Sequence, residues 1–241
     1  MDEKLIHIVY PLKKSSVGDS DEIKYSLRSL EKHLKDPFDV TIIGYKPKWL
    51  DTTKVKHIPF NETENRENNT LTKYLIAADM YNEFVVFHDD YFLNNDVYYE
   101  DLKQTRYLQD FHAIKQFGPR KFQQGLKLCF EEVTEAGYRG LNYCTHTPMY
   151  FKSDIVKQVV DKFDLLNRYF VSFESYYYNF IRAEKTAKQV DDVKVARYNA
   201  KLFRDKDAEG KLFVNFDEKG MLSGIYNYIM RKFPEKSKFE L

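Results

Sequence analysis

The stretch Phe84–Asp96, FVVFHDDYFLNND, runs four consecutive apolar residues straight into a histidine and two adjacent aspartates. A short unbroken apolar run bounded by polar residues reads as a strand buried on both faces. Such a strand cannot hold an unpaired carboxylate without a large desolvation cost. Asp89 and Asp90 are therefore expected at the strand's end, or against positive partners. Two neighbouring acids repel each other, and a divalent cation offsets that repulsion while leaving coordination positions open to phosphate oxygens. A solvated turn is the competing reading, and Asn94-Asn95-Asp96 resembles one.

Upstream, LIHIVYPL (5–12) reads as a buried first strand, followed by the polar loop KKSSVGDSDE and a helix capped by Ser20 or Asp21. Ile23, Leu27, Leu30 and Leu34 recur on that helix at helical spacing. FDVTIIGY (38–45) is a β-branched second strand and KHIPF (56–60) a short third. A helix with Leu71, Tyr74, Leu75 and Ala78 on its apolar face then leads into Phe84. Strands alternating with helices predict a mostly parallel sheet covered on both faces, with ligands beyond the strands' carboxyl ends. The loop 13–20 and the segment His88–Asp90 both emerge at that edge.

Downstream, FGPRKFQQG (117–125) has the composition of a mobile loop. THTPMYF (145–151) is expected to be extended, and SDIVKQVVDKF (153–163) to form a helix capped by Ser153. FESYYYNFIRAEK (173–185) reads as another helix, KLFVNFDEKGM (211–221) as a late strand ending at Asp217, and GIYNYIMRKF (224–233) as a terminal helix. The expected fold is α/β: one domain over residues 1–241, a mostly parallel central sheet flanked by helices, and a small C-terminal β element with a terminal helix.

With 38 Lys and Arg against 37 Asp and Glu in 241 residues, no overall field draws the chain to nucleic acid or an anionic membrane. The 19 Tyr and 19 Phe against 9 Gly argue for ordered structure. Cys129 and Cys144, without a signal peptide, read as free thiols. No apolar run approaches a transmembrane span, so a soluble, cytoplasmic protein is expected.

Six histidines show no HxH or HExxH spacing. His7, His33 and His57 are expected to be structural or solvated, His88 to adjoin the acids, and His146 to be a metal ligand or acid–base group. Arg28 and Lys73 sit on helices that follow the ligand edge and are candidates to hold a phosphate, although solvated helix charges are the plainer reading. GxxxxGK[ST] and GxGxxG are both missing. Cys144 and His146 lack a third orienting group, which disfavours a nucleophile set.

Several separated segments resemble one family. DEIKYSLRSLEKHL (21–34) is similar to its ELRYSLRSIEKY-type segment. ENNTLTKYLIAAD with FVVFHDDYFL is similar to its stretch ending in FIYFNDDMFL, and THTPMYF to its His-Pro segment. LFVNFDEKG and FPEKSKFE resemble its last block. These are the Stealth proteins, sugar-phosphate transferases of capsular polysaccharides and lysosomal enzymes, whose core is similar to a GT-A glycosyltransferase fold. The resemblance implies a nucleotide-binding half (1–96) and an acceptor-side half (97–241). It implies a nucleotide-sugar donor at the end of the first strand, near Tyr10 and Pro11, and a divalent metal, Mn²⁺ or Mg²⁺, near Asp89 and Asp90. It also implies active-site roles for Arg28, His146 and Asp217. The family's opening DIVYTWVDG is here IHIVYPLKKSSVGDS, so the acid ending that motif has no counterpart. Relative to the D-x-D of many GT-A enzymes, His88 takes the place of the first acid. That leaves Asp90, with His146, as the metal ligand and Asp89 as a donor contact.

The leading expectation is transfer of a sugar from a nucleotide diphosphate sugar to a hydroxyl acceptor, such as a glycan in polysaccharide biosynthesis. Lys73 or Arg120 would offset charge on the departing diphosphate, and Asp217 or Glu174 would accept the acceptor's proton. The 117–125 segment would close over the donor. Three alternatives share the site. They are sugar-1-phosphate transfer, glycosylation of a DNA base using a local basic surface at Lys115, Arg120 and Lys121, and a non-catalytic carbohydrate- or nucleotide-binding module.

Overall fold

The computed structural model describes residues 4–15, 19–190, 194–197, 203–216 and 224–241. Strand β1 (Ile6–Leu12), helix α1 (Asp21–His33), strands β2 (Phe38–Gly44) and β3 (Lys56–Ile58), helix α2 (Arg66–Met80) and strand β4 (Glu83–Val86) follow in that order. Next come β5 (Tyr91–Leu93), α3 (Tyr99–Lys103), the two-residue strands β6 (Arg106–Tyr107) and β7 (Gln109–Asp110), α4 (Lys121–Glu135) and β8 (Leu141–Asn142). Strand β9 (Met149–Lys152), helices α5 (Ser153–Lys162) and α6 (Phe173–Phe180), strands β10 (Lys188–Gln189), β11 (Lys194–Arg197) and β12 (Phe213–Phe216), and helix α7 (Gly224–Lys232) complete the described elements.

The main sheet has the order β3-β2-β1-β4-β9. Its first four strands are parallel, and β9 closes the edge antiparallel to β4. Alternation along β1 divides two cores: Ile6, Ile8, Tyr10 and Leu12 face one side and Val9 the other. On the first side α1 lays Ile23, Leu27 and Leu30 against the sheet. On the other, α2, α4, α5 and α6 contribute Leu71, Leu126, Val156 and Tyr177. The sheet is therefore buried on both faces, as continuous apolar strands require.

The apolar run that opened the sequence does not stay in one strand. It leaves the main sheet after Val86, turns at Asp89 and Asp90, and resumes as β5 in a second sheet of order β11-β12-β5. Tyr91 N donates to His88 O at 3.1 Å across the turn. The late strand is present as β12, paired antiparallel with β5 through Asn215↔Tyr91 and Phe213↔Leu93.

Several expectations are corrected. Residues Lys121–Gly125 belong to helix α4 and not to a loop; Gly125 is retained inside that helix because a Cβ there would fall 1.9 Å from the Phe170 ring. Helix α6 ends at Phe180, five residues before the sequence suggested, and Arg182 follows in the left-handed region at φ 54°. Ser153 does not cap α5; its hydroxyl donates to Tyr81 O across the edge of β4. Ser20 occupies the N-cap position of α1 with φ 56°, and its Oγ accepts from Ser15 N, not from the helix. Met149–Lys152 is the extended part of the THTPMYF segment, whereas Thr145–Pro148 is a loop.

The chain that leads into that loop, through β8, is held by Asn179, which is fully buried on α6. Its Oδ1 accepts from Gly140 N (3.1 Å) and Leu141 N (3.0 Å), and its Nδ2 donates to Leu141 O and Ser175 O (2.8 Å each). Ser175 Oγ accepts from Tyr143 N at 3.1 Å. A buried amide with all its capacity used holds backbone in place, because breaking any one bond strands a desolvated partner.

Candidate functional site

Asp89 and Asp90 form the tip of the turn between β4 and β5, at the carboxyl end of the parallel strands. The loop after β8 carries His146 to the same place, in the left-handed region at φ 50°, where non-glycine residues are uncommon. His146 Nδ1 stands 3.8 Å from Asp90 Oδ2, with the two side chains 43 % and 20 % exposed. Burial raises the pKa of Asp90, but the facing His146 and the charge of His88 outweigh it, so the carboxyl stays below its ordinary range.

The first turn of α6 adds Glu174. Its Oε1 accepts from the Cys144 thiol at 2.6 Å. Burial raises the Glu174 pKa above the ordinary glutamate value, and the Cys144 contact and His146 only partly offset that. Burial also pushes the Cys144 thiol well up, with Glu174 adding to the effect, so Cys144 is a hydrogen-bond donor here and not a thiolate nucleophile. The rings of His88 and His146 lie 5.1 and 6.2 Å from the ring of Tyr91. Tyr74 reaches up from α2 to place its hydroxyl 3.0 Å from His88 Nε2.

Lys73 occupies the neighbouring position under the end of β1. It is only 1 % exposed, donates to Leu12 O at 2.9 Å, and pairs with the Glu62 carboxylate. Burial lowers its pKa; Glu62 and, more weakly, Asp89 act in the other direction. A buried ammonium beside an acid turn is thus built into the carboxyl edge of the sheet. Gly44 makes room for it: its φ is +126°, and an added Cβ would lie 2.0 Å from Leu12 O and 3.0 Å from Lys73 Nζ.

Asp89, Asp90, His146, Glu174 and Lys73 are therefore neighbours at one edge, although they come from four separate segments. Other expected site residues lie elsewhere. Tyr10 is fully buried among Ile8, Leu12 and Phe87, and its hydroxyl contacts Ser26 Oγ at 2.8 Å, so it is a core residue and no donor contact. Pro11 lies in β1 opposite Ile43 and is half-buried. The Arg28 guanidinium makes a bidentate pair with Glu240 (2.7 Å each) and donates to Phe233 O and Pro234 O, so it anchors the C-terminal segment and does not reach the cluster. Arg120 is exposed at the N-cap of α4, without a contact to the cluster. Asp217 lies outside the described residues.

Sequence reasoning missed the supporting groups. Tyr74 was assigned only to an apolar helix face, and nothing in the sequence marks its hydroxyl as a partner for His88. Glu62 sits in a uniformly polar loop, and the Cys144–Glu174 pair joins residues 30 apart.

Both cysteines are free. No described helix is long and apolar enough to cross a membrane. Among the described residues no group of three or more His, Cys, Asp and Glu is arranged to hold a metal ion. Asp90 and His146, 3.8 Å apart, offer one carboxylate oxygen and one imidazole nitrogen at the turn. These two are donors of the kinds that divalent cations take. No model of a known protein family matches the chain, and no curated protein matches its sequence.

Proposed function

We propose that the protein is a nucleotide-sugar-dependent glycosyltransferase with a GT-A-like core, moving a sugar to a hydroxyl acceptor with help from a divalent cation. One observation carries the reading: an acid turn at the carboxyl end of a parallel strand, met there by His146 and Glu174 from two later segments. Open α/β sheets bind ligands at this edge.

Asp90 and His146 would hold the Mn²⁺ or Mg²⁺, which supplies neutralisation of charge on the departing diphosphate. Lys73 with its partner Glu62 sets an oriented ion pair under the Asp89 turn, and a preorganised dipole in a dry setting acts more strongly than one in water. Asp89 takes the sugar or ribose hydroxyls of the donor. In the transfer, the acceptor oxygen bonds to the anomeric carbon. The bond from that carbon to the diphosphate oxygen breaks, and its electron pair leaves with the nucleotide diphosphate. Glu174 takes the acceptor proton, a role helped by burial, which raises its proton affinity above that of an ordinary glutamate.

Thermal melts with UDP-, GDP-, CDP- and dTDP-sugars, with and without Mn²⁺, test this directly, since a ligand bound only to the native state raises the melting temperature. A Mn²⁺-dependent shift with one donor class is expected, with loss of the shift and a rate reduction of roughly 10²-fold or more in Asp90→Asn. No shift with any donor overturns the reading in favour of a binding module. Release of a nucleotide monophosphate in place of a diphosphate would reassign the chemistry to sugar-1-phosphate transfer.

A further inference from the structure

Outside the acid–histidine cluster, exposed aromatic side chains gather in one place. Tyr169 is 60 % and Phe122 42 % exposed. Phe122 and Phe170 pack edge to face at 5.2 Å. Lys121 Nζ lies 4.3 Å from the Tyr169 ring centroid and donates to its hydroxyl at 2.9 Å. The rings are held in position and not merely exposed. Gly125 lets Phe170 lie against α4. The loop carrying Tyr169 and Phe170 is tied to α2 by Asn65 Nδ2 donating to Arg168 O (3.3 Å) and Asn68 Nδ2 donating to Leu166 O (2.7 Å). Arg168 is tied to α4 through Glu132 at 2.6 Å.

The chain that carries Tyr169 and Phe170 continues into the site. Ser172, three residues after Tyr169, donates to Cys144 Sγ at 3.6 Å, and Cys144 donates to Glu174. Five residues separate Tyr169 from Glu174, a chain span of at most about 17 Å, within the length of a glycan a few units long. Apolar patches of this kind on an otherwise polar surface mark binding sites, and tyrosine and phenylalanine rings offer flat faces for the C–H faces of sugars. Of the cations nearby, Arg168 pairs with Glu132 and Lys127 with Glu131 at 3.5 Å, whereas Lys121 keeps its charge against the Tyr169 ring and Arg120 is exposed. A nucleic-acid backbone calls for a longer row of unpaired cations, and the rings are the feature that favours a sugar chain here.

We infer that Phe122, Tyr169 and Phe170 form the platform on which a glycan acceptor, several sugar units long, lies with its terminal hydroxyl directed at Glu174. The word acceptor rests on the transferase reading; the binding of a glycan chain here does not, and the two are tested separately. The full chain is titrated calorimetrically with chitohexaose, maltohexaose, laminarihexaose and a hyaluronan fragment, and with a short oligothymidylate. At least one oligosaccharide is expected to bind. Tyr169→Ala and Phe122→Ala should each weaken it about tenfold, while Tyr169→Phe, which keeps the ring, should stay within about twofold. Both positions are exposed, so the variants should melt with the parent.

Failure of every oligosaccharide to bind, or binding indifferent to both alanine variants, overturns the proposal. So does salt-dependent binding of the oligothymidylate that the same variants abolish, which would make this a nucleic-acid surface. A nucleotide-sugar shift without oligosaccharide binding would remove the platform and leave the transferase. Oligosaccharide binding without any nucleotide-sugar shift would do the reverse.

Discussion

Glu174 and Asp90 are carboxyls that both feel His146, and their surroundings push them in opposite directions. Glu174 has its folded pKa raised above the ordinary 4.5 by burial. The folded state thus binds its proton more tightly than the unfolded chain, and the stability it contributes is complete below 4.5 and lost as pH rises through the folded value. Asp90 is depressed below 3.8, so its contribution is present above that value and lost as pH falls through the folded one. Glu174→Gln should therefore stabilise the protein relative to wild type at neutral pH and make no difference below about pH 4. Urea unfolding at the two pH values measures this. If Glu174 is the proposed base, the same variant should lower transfer by roughly 10²-fold or more. At this scale the acids and His146 were legible because their local context was odd: carboxylates after an apolar run, a histidine in a stretch too polar for core. Tyr10 was misread because strand alternation, which puts it on the face of Ile8 and Leu12, was not applied to it. The partners of these groups were not legible at all, because hydrogen bonds between distant segments leave no local pattern.

The elements that build the edge carry their own requirements. Gly44 ends β2 with a φ of +126° and no space for a Cβ against Leu12 O. Gly44→Ala should cost about 2–3 kcal/mol by combining backbone strain with a clash at the β1–β2 edge. Chemical denaturation would record it, and a smaller loss would mean that β1 yields more readily than its parallel register suggests. The four parallel strands were readable from β-branched runs separated by helical periodicity. The sequence could not show that Phe84–Leu93 is shared between two sheets, because an apolar run looks the same whichever sheet receives it. Nor did it reveal α4, whose first residues follow a Gly-Pro pair and include Gly125; there the packing of Phe170 overrides the usual penalty for glycine in a helix.

For the molecule as a whole, Arg28 joins α1 to the C-terminal segment. Its bidentate partner Glu240 is 4 % exposed, and Phe239 beside it is buried against Phe38. Arg28→Ala should cost about 3 kcal/mol, the scale for breaking a buried ion pair by removing one partner. Its nucleotide-sugar response should survive, since Arg28 does not reach the cluster. A melt with and without donor separates the two effects, and loss of the donor response at unchanged stability would return Arg28 to the site. The bond between Arg28 and Glu240 spans 212 positions of chain, and the acid turn is held on its far side by β12, more than a hundred residues downstream. During synthesis, β1 to β4 emerge early with their carboxyl edge complete, yet Asp90 has no β5–β12 ladder beside it until residue 216 has left the ribosome. A nascent chain stalled ahead of β12 would therefore lack the ladder that flanks the acid turn, whatever the state of β1 to β4.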